Sequence, residues 1–214
     1  MRKRPVFANG EFYHIYNQGV DKRDIVIDQK DALRLLECMK EFNVQEAIGS
    51  LYSLSFQERK SKQKKQLVDI VAYCLNPNHF HFVLRQRRDG GIVELIKRLS
   101  GGYTSYFNIR HKRRGPLFGG SYKVRHILDN DYLLHVSAYV NLNNKVHGLK
   151  SQLVKSSWEE YSDGKRGLCD TKFILGQFRN KAEYAEFAMG SLDLMLERKK
   201  EDKELKALMI EGEI

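Results

Sequence analysis

Asn76 to Leu84 read NPNHFHFVL, an apolar run carrying two histidines one residue apart. Side chains alternate across a strand, so His79 and His81 share one face while Phe80 and Phe82 take the other. Two neutral imidazoles side by side can seat a metal ion. They can equally decorate a half-exposed strand, because two ligands do not complete a coordination sphere and a His-x-His pair is common. A third group comes from the segment that starts at Asp131. At about 100° per residue, Tyr132, His135, Tyr139 and Asn143 form one polar stripe of a helix, and Leu133, Val136 and Val140 an apolar one. Tyr139 and Asn143, four residues apart, lie one above the other, so one can reach a metal while the other reaches a group bound to it. A partly exposed amphipathic face would show the same stripe.

The elements that must hold these residues are readable in outline. GEFYHIYNQGV (10–20) mixes aromatic, β-branched and polar residues as a strand does. Asp28 then precedes a helical stretch in which Leu33, Leu36, Met39 and Phe42 recur. QERKSKQKKQ (57–66) has no apolar member and is a solvated loop, either contacting phosphates or merely solubilising. LVDIVAYCL and HFHFVLRQ read as antiparallel strands joined by the NPN turn. IVELIKRLSGGYTSYFNIRHK reads as a helix, with Gly101 and Gly102 a candidate kink or break. A basic, glycine-punctuated loop and a short extended segment follow. The next helix, DYLLHVSAYVNLNN, takes its cap from Asp129 or Asn130 and stops near Gly148. Beyond it come SSWEEY, helices around FILGQF and KAEYAEFAMGSLDLML, and a charge-rich end that frays.

The chain has 214 residues, 42% hydrophobic and 30% charged, which is the composition of a packed globular protein. No apolar run approaches the length of a membrane span, so a soluble, cytoplasmic protein without a membrane partner is expected. Cys38, Cys74 and Cys169 are too scattered for a disulfide framework or a thiolate metal site. The net charge is +10, and residues 1–150 hold 26 Lys and Arg against 14 Asp and Glu, whereas 151–214 hold 11 against 13. The basic excess belongs to the first part, which points to a polyanionic partner such as nucleic acid.

Four ordered segments, YHIYNQGV, AYCLNPNHFHFVL, RRGPLFGGSYKV and YLLHVSAYVNLNNKVHGL, together resemble the single-tyrosine transposases of the HUH endonuclease superfamily. The likeness is to the REP-associated tyrosine transposases, of the insertion-sequence 200 type, and runs from about Phe12 to Leu149. SSWEEY resembles the C-terminal extension of that subfamily. The resemblance implies an α+β fold, an antiparallel sheet backed by helices in an RRM-like or ferredoxin-like arrangement. A transposase domain would span residues 1–150 and a mostly helical extension 151–214. It further implies that Tyr139 is the nucleophile and that His79, His81 and Asn143 hold one divalent cation, magnesium or manganese. The chain departs from the family at Asn144, where proline is common, and at Gly119, where a polar residue is common.

Such a protein would be a metal-dependent, single-strand-specific DNA endonuclease and strand transferase that cuts beside hairpin DNA through a 5′-phosphotyrosine. Single strands are bound by basic groups that track the backbone and aromatic rings that stack on bases. Arg110, Lys112, Arg113, Arg114, Lys123 and Arg125, with Tyr122, are the expected DNA contacts. The long extension favours a monomer, while some relatives build the site between two chains of a homodimer. The alternative is a domesticated protein that binds hairpin nucleic acid without turnover. His14 lies on the first strand and could face the site, although a satisfied structural histidine is the expectation, and His111, His126 and His147 carry no assigned role.

Overall fold

The computed structural model describes residues 6–46 and 65–211, with side chains through residue 200. Most of the basic loop at 57–66 therefore lies outside the described residues. Strands β1 (Phe12–Gln18), β2 (Val68–Leu75), β3 (His79–Gln86), β4 (Lys123–Ile127) and β5 (Lys155–Ser156) form one antiparallel sheet in the order β4-β1-β3-β2-β5. Helix α1 (Gln29–Glu41) lies between β1 and β2 in the chain, and α2 (Gly91–Arg110) between β3 and β4. This β-α-β-β-α-β order is the ferredoxin-like arrangement. The α+β sheet backed by helices that the sequence implied is what the chain forms.

The alternation of HFHFVL sorts its side chains onto two cores. Phe80, Phe82 and Leu84 point with Tyr13 and Ile15 toward α1 and α2, where Leu35, Met39, Leu95, Leu99 and Phe107 meet them. The other face of the sheet is covered by α3 (Asn130–Asn141), α4 (Asn143–Val146), α5 (Trp158–Ser162), α6 (Lys172–Leu175) and α7 (Lys181–Glu211). Its core gathers Val71, Cys74 and Val83 from the sheet, Leu133, Val136 and Val140 from α3, and Tyr161, Ile174, Tyr184 and Leu192 from the later helices. All of β2 is buried because both faces are covered. A bulge between Ile70 and Ala72 turns Val71 and Ala72 toward the same core, and the Tyr161 hydroxyl donates to the Val71 carbonyl at 2.6 Å.

Residues 151–200 pack directly against this sheet. β5 pairs with the edge of β2, and a buried chain of hydrogen bonds runs from Ser157 Oγ to Asn141 Oδ1 (2.5 Å) and from Asn141 Nδ2 to the Tyr184 hydroxyl (2.8 Å). The charge-rich end continues α7 rather than leaving it, since the helix runs on to Glu211.

Local signals explain the helix ends. Asp28 caps α1 by accepting from the Asp31 amide at 3.1 Å, and Asp31 accepts in turn from the Ile27 amide at 3.0 Å. The fully buried Asp31 carboxylate is held by Arg110 and His111 at the end of α2, which ties the two helices together. Asp129, rather than Asn130, caps α3 through the Tyr132 amide at 2.7 Å. The glycine pair does not break α2, which runs uninterrupted for 20 residues. A Cβ on Gly102 would stand 2.7 to 2.8 Å from the Phe42 ring, so the missing side chain admits that ring, while Gly101 faces open space.

Candidate active site

The NPN turn is the first fixture of the site. Pro77 O accepts from the Ile25 and Val26 amides (2.6 and 2.9 Å) and Asn78 O from the Gly19 amide (2.8 Å), so the turn is clamped to the segment after β1. His79 and His81 then leave β3 on the face opposite Phe80 and Phe82, which are fully buried. Because Tyr16 lies opposite His81 in the β1–β3 register, Tyr16 and His14 stand beside the histidines on that face. The Tyr16 and His81 rings stack with centroids 5.4 Å apart.

Helix α3 brings Tyr139 over this face. Its ring is nearly perpendicular to those of His81 and His14, at 5.4 and 5.9 Å between centroids. The helix interrupts at Leu142 and resumes as α4, which carries Asn143 inward to full burial. Asn143 Oδ1 lies 3.0 Å from His79 Nε2. The structure thus gathers His79, His81, Tyr139 and Asn143, four residues separated by up to 64 positions, at one point of the sheet.

The ring nitrogens of the two histidines are differently engaged. His79 Nδ1 is 2.6 Å from Asn78 Oδ1, an acceptor only, so that nitrogen carries the proton and Nε2 keeps its lone pair. Nε2 and Asn143 Oδ1 are then both acceptors, and the Asn76 side-chain amide reaches the two at 2.8 and 2.7 Å. His81 Nδ1 is 2.9 Å from His14 Nε2, while His81 Nε2 has no hydrogen bond among the described residues. Asn143 Nδ2 is buried with no partner.

Burial sets the charge state. It pulls His81 down to about 2, with His14, His79 and His147 acting the same way, and it pulls His14 down to about 4 with help from Arg125. Burial also lowers His79, against a smaller opposing effect of Asn143, and lowers His147. All four imidazoles are therefore neutral near pH 7 and keep lone pairs to offer. Burial raises Tyr139 above the ordinary phenol value, and the Asn143 side chain pulls the other way.

These donors fit a divalent cation. His79 Nε2 and the Asn143 carbonyl are neutral acceptors 3.0 Å apart, both reached by the Asn76 amide, and the neutral His81 ring stands beside them with its centroid 5.3 Å from that of His79. Among the described residues no group of three His, Cys, Asp or Glu side chains is arranged for a metal, so such a set relies on Asn143.

The expected DNA-binding residues divide. Lys123 and Arg125 on β4 stand on the site face, opposite Tyr16 and His14 in the register, with Lys123 Nζ 5.8 Å from the Tyr16 ring centroid. Lys112 and Arg114 are exposed on the loop after α2, and Tyr122 is half-buried against the first core. Arg113 folds back onto Asn108 Oδ1 (2.7 Å) and Pro116 O (2.9 Å). Arg110 is engaged by Asp28 and Asp31 on the far side of the sheet. At Gly119 an added Cβ would make only ordinary contacts at 3.6 to 3.7 Å, so space does not demand glycine there.

Sequence reasoning missed Asn76 and Asn78, raised a site-facing position for His14 without preferring it, and left His147, whose ring centroid is 5.0 Å from that of His79, unassigned. The β1–β3 pairing that places His14 was the only signal available for it, and two strands 67 residues apart do not announce their register.

Residues 55–144 match the family of IS200-like transposases. Among solved structures, a REP-associated tyrosine transposase bound to a REP hairpin is similar with 13% identity and a TM-score of 0.49, over 80% of this chain and 89% of that one. A putative transposase from Deinococcus radiodurans R1 is similar with 15% identity and a TM-score of 0.39, over 70% of this chain and 98% of that one. No curated protein matches significantly.

Proposed function

For a chain that carries an IS200-like transposase domain over residues 55–144, we propose a divalent-metal-dependent DNA strand transferase that cuts single-stranded DNA beside a hairpin through Tyr139. Residues 1–150 supply this domain and 151–214 extend it. The observation that carries the reading is the placement of the Tyr139 ring over His81, with Asn143 Oδ1 3.0 Å from His79 Nε2.

His79, His81 and Asn143 would hold the cation, which when bound supplies Lewis-acid stabilisation of the phosphate oxygens. Because all three ligands are neutral, they leave its full charge for the phosphate. Asn78 holds His79 in the tautomer that keeps its Nε2 lone pair available, and His14 accepting from His81 Nδ1 would do the same for His81. α3 positions Tyr139, whose oxygen attacks phosphorus as its proton passes to water. The P–O3′ bond breaks, the 3′ oxygen takes a proton back from water and leaves as a hydroxyl, and the 5′ phosphate remains on the tyrosine. Attack by a 3′ hydroxyl reverses the step and rejoins a strand. Exposed Lys112, Arg114, Lys123 and Arg125 would follow the backbone, with Tyr122 beside them, while Arg110 holds the base of their loop. In this reading the site is built in cis, Tyr139 serving the histidines of its own chain, and the protein acts as a monomer.

A second reading is a hairpin-binding protein without turnover. The Asn76 amide favours it, because it already satisfies His79 and Asn143 with no cation. One experiment separates them. End-labelled hairpin DNAs with single-stranded flanks are incubated with the full chain in magnesium, manganese or EDTA and run on a denaturing gel. A metal-dependent cut with a protein-linked band, absent in Tyr139→Phe, supports the transferase. Retarded hairpins with no cut in any metal support the binding protein.

A further inference from the structure

Tyr139 and His81 open onto a cavity of about 610 Å³ bounded by β1, β3, β4, α3 and α7. That size is within the range of roughly 300–1,000 Å³ typical of small-molecule pockets. Arg125 enters from β4 and Arg198 from α7, and no carboxylate lines the space. Neither arginine has an ion-pair partner among the described residues. Two guanidinium groups without an acid attract an anion, and their planar forks suit phosphate. The rings of Tyr16 and Tyr132 line the same cavity, the latter 38% exposed. Leu194 and Met195 of α7 give the same space an apolar side. His135 Nδ1, 3.1 Å from Ser191 Oγ, fastens α7 to α3 at the wall of the cavity.

We propose that this cavity is a nucleotide subsite. It receives one unpaired nucleotide adjoining the scissile phosphate, with its base against Tyr132, Tyr16 and the apolar side of α7 and its phosphate between Arg125 and Arg198. Cations plus aromatic faces are the combination that binds unpaired strands with tolerance for sequence. The proposal rests on the reading of Tyr139 as nucleophile. It goes further in making α7 a wall of the substrate site, so that base preference beside the cut depends on residues of the C-terminal extension.

The test uses the full chain as Tyr139→Phe, which holds DNA uncut, and hairpins carrying 2-aminopurine at each single-stranded flank position in turn. Quenching is expected at one position only, and adding Tyr132→Ala should abolish it. Arg198→Ala should weaken binding about tenfold and reduce the salt slope of binding by about 0.7, as for one lost phosphate contact on a single strand. Circular dichroism verifies folding of these variants, whose added substitutions fall at the exposed Tyr132 and Arg198. Quenching at no position, or quenching indifferent to both substitutions, would overturn the subsite even where the unmodified chain still forms its covalent adduct. A chain that forms no adduct removes the underlying reading and the subsite with it. A free deoxynucleoside monophosphate that binds as tightly as the hairpin would also overturn the proposal, by assigning the cavity to a soluble nucleotide.

Discussion

His14 Nε2 lies 2.9 Å from His81 Nδ1, both residues being 7% exposed, so one ring donates to the other and the direction sets which nitrogen of His81 keeps a lone pair. With His14 accepting, His81 carries its proton on Nδ1 and presents a lone pair on Nε2. The same logic applies to His79, whose Nδ1 is taken by Asn78. Each of the two imidazoles is thus contacted at Nδ1 by a neighbour that is not itself a proposed ligand.

His14→Ala should therefore lower manganese affinity by about 10- to 100-fold, the usual effect of losing such a support. His14→Gln, which retains an acceptor, should recover part of it. Isothermal titration of the full chain with manganese reads this directly. Equal affinity in all three proteins would remove His14 from the account.

Acid should destabilise the fold through the same histidines. Burial depresses His14 to about 4 and His81 to about 2, below the unfolded value of 6.5. The unfolded chain therefore takes up protons first, and stability that is complete above pH 6.5 is lost as pH falls toward those values. The slope is at most about 1.4 kcal/mol per pH unit for each histidine. Urea unfolding between pH 7 and 4 should show this loss, and His14→Phe should flatten it. An unchanged slope in that variant would contradict the assignment.

The two glycines of α2 should respond oppositely to alanine. Gly101→Ala, facing open space, should stabilise by about 0.5–1 kcal/mol. Gly102→Ala should destabilise by about 1–3 kcal/mol, because its Cβ meets the Phe42 ring. Thermal unfolding of the two variants measures both, and the same sign for the pair would argue against the packing of α1 on α2.

How much of this was legible in the sequence depended on range. HFHFVL declared its two faces through period-two alternation, and Tyr139 and Asn143 declared theirs through a four-residue step. Gly101-Gly102 misled, because helix propensity is local whereas the ring that requires Gly102 comes from Phe42, 60 positions away. Arg110 counted as a basic residue near other basic residues, yet its partners, Asp28 and Asp31, sit across the helix pair. Asn76 looked like turn chemistry alone until the hairpin and α4 brought it between His79 and Asn143. The role of α7 as a wall of the cavity had no sequence signal, since Arg198 sits in a run of charges that reads as solvated surface.

The most direct test of the central claim is mass spectrometry of the protein after reaction with a flank-bearing hairpin, followed by nuclease trimming and tryptic digestion. The account predicts a nucleotide 5′-phosphate attached to Tyr139, and to no other residue. Attachment at Tyr16 or Tyr132, or metal-dependent cleavage with no modified peptide, would contradict it.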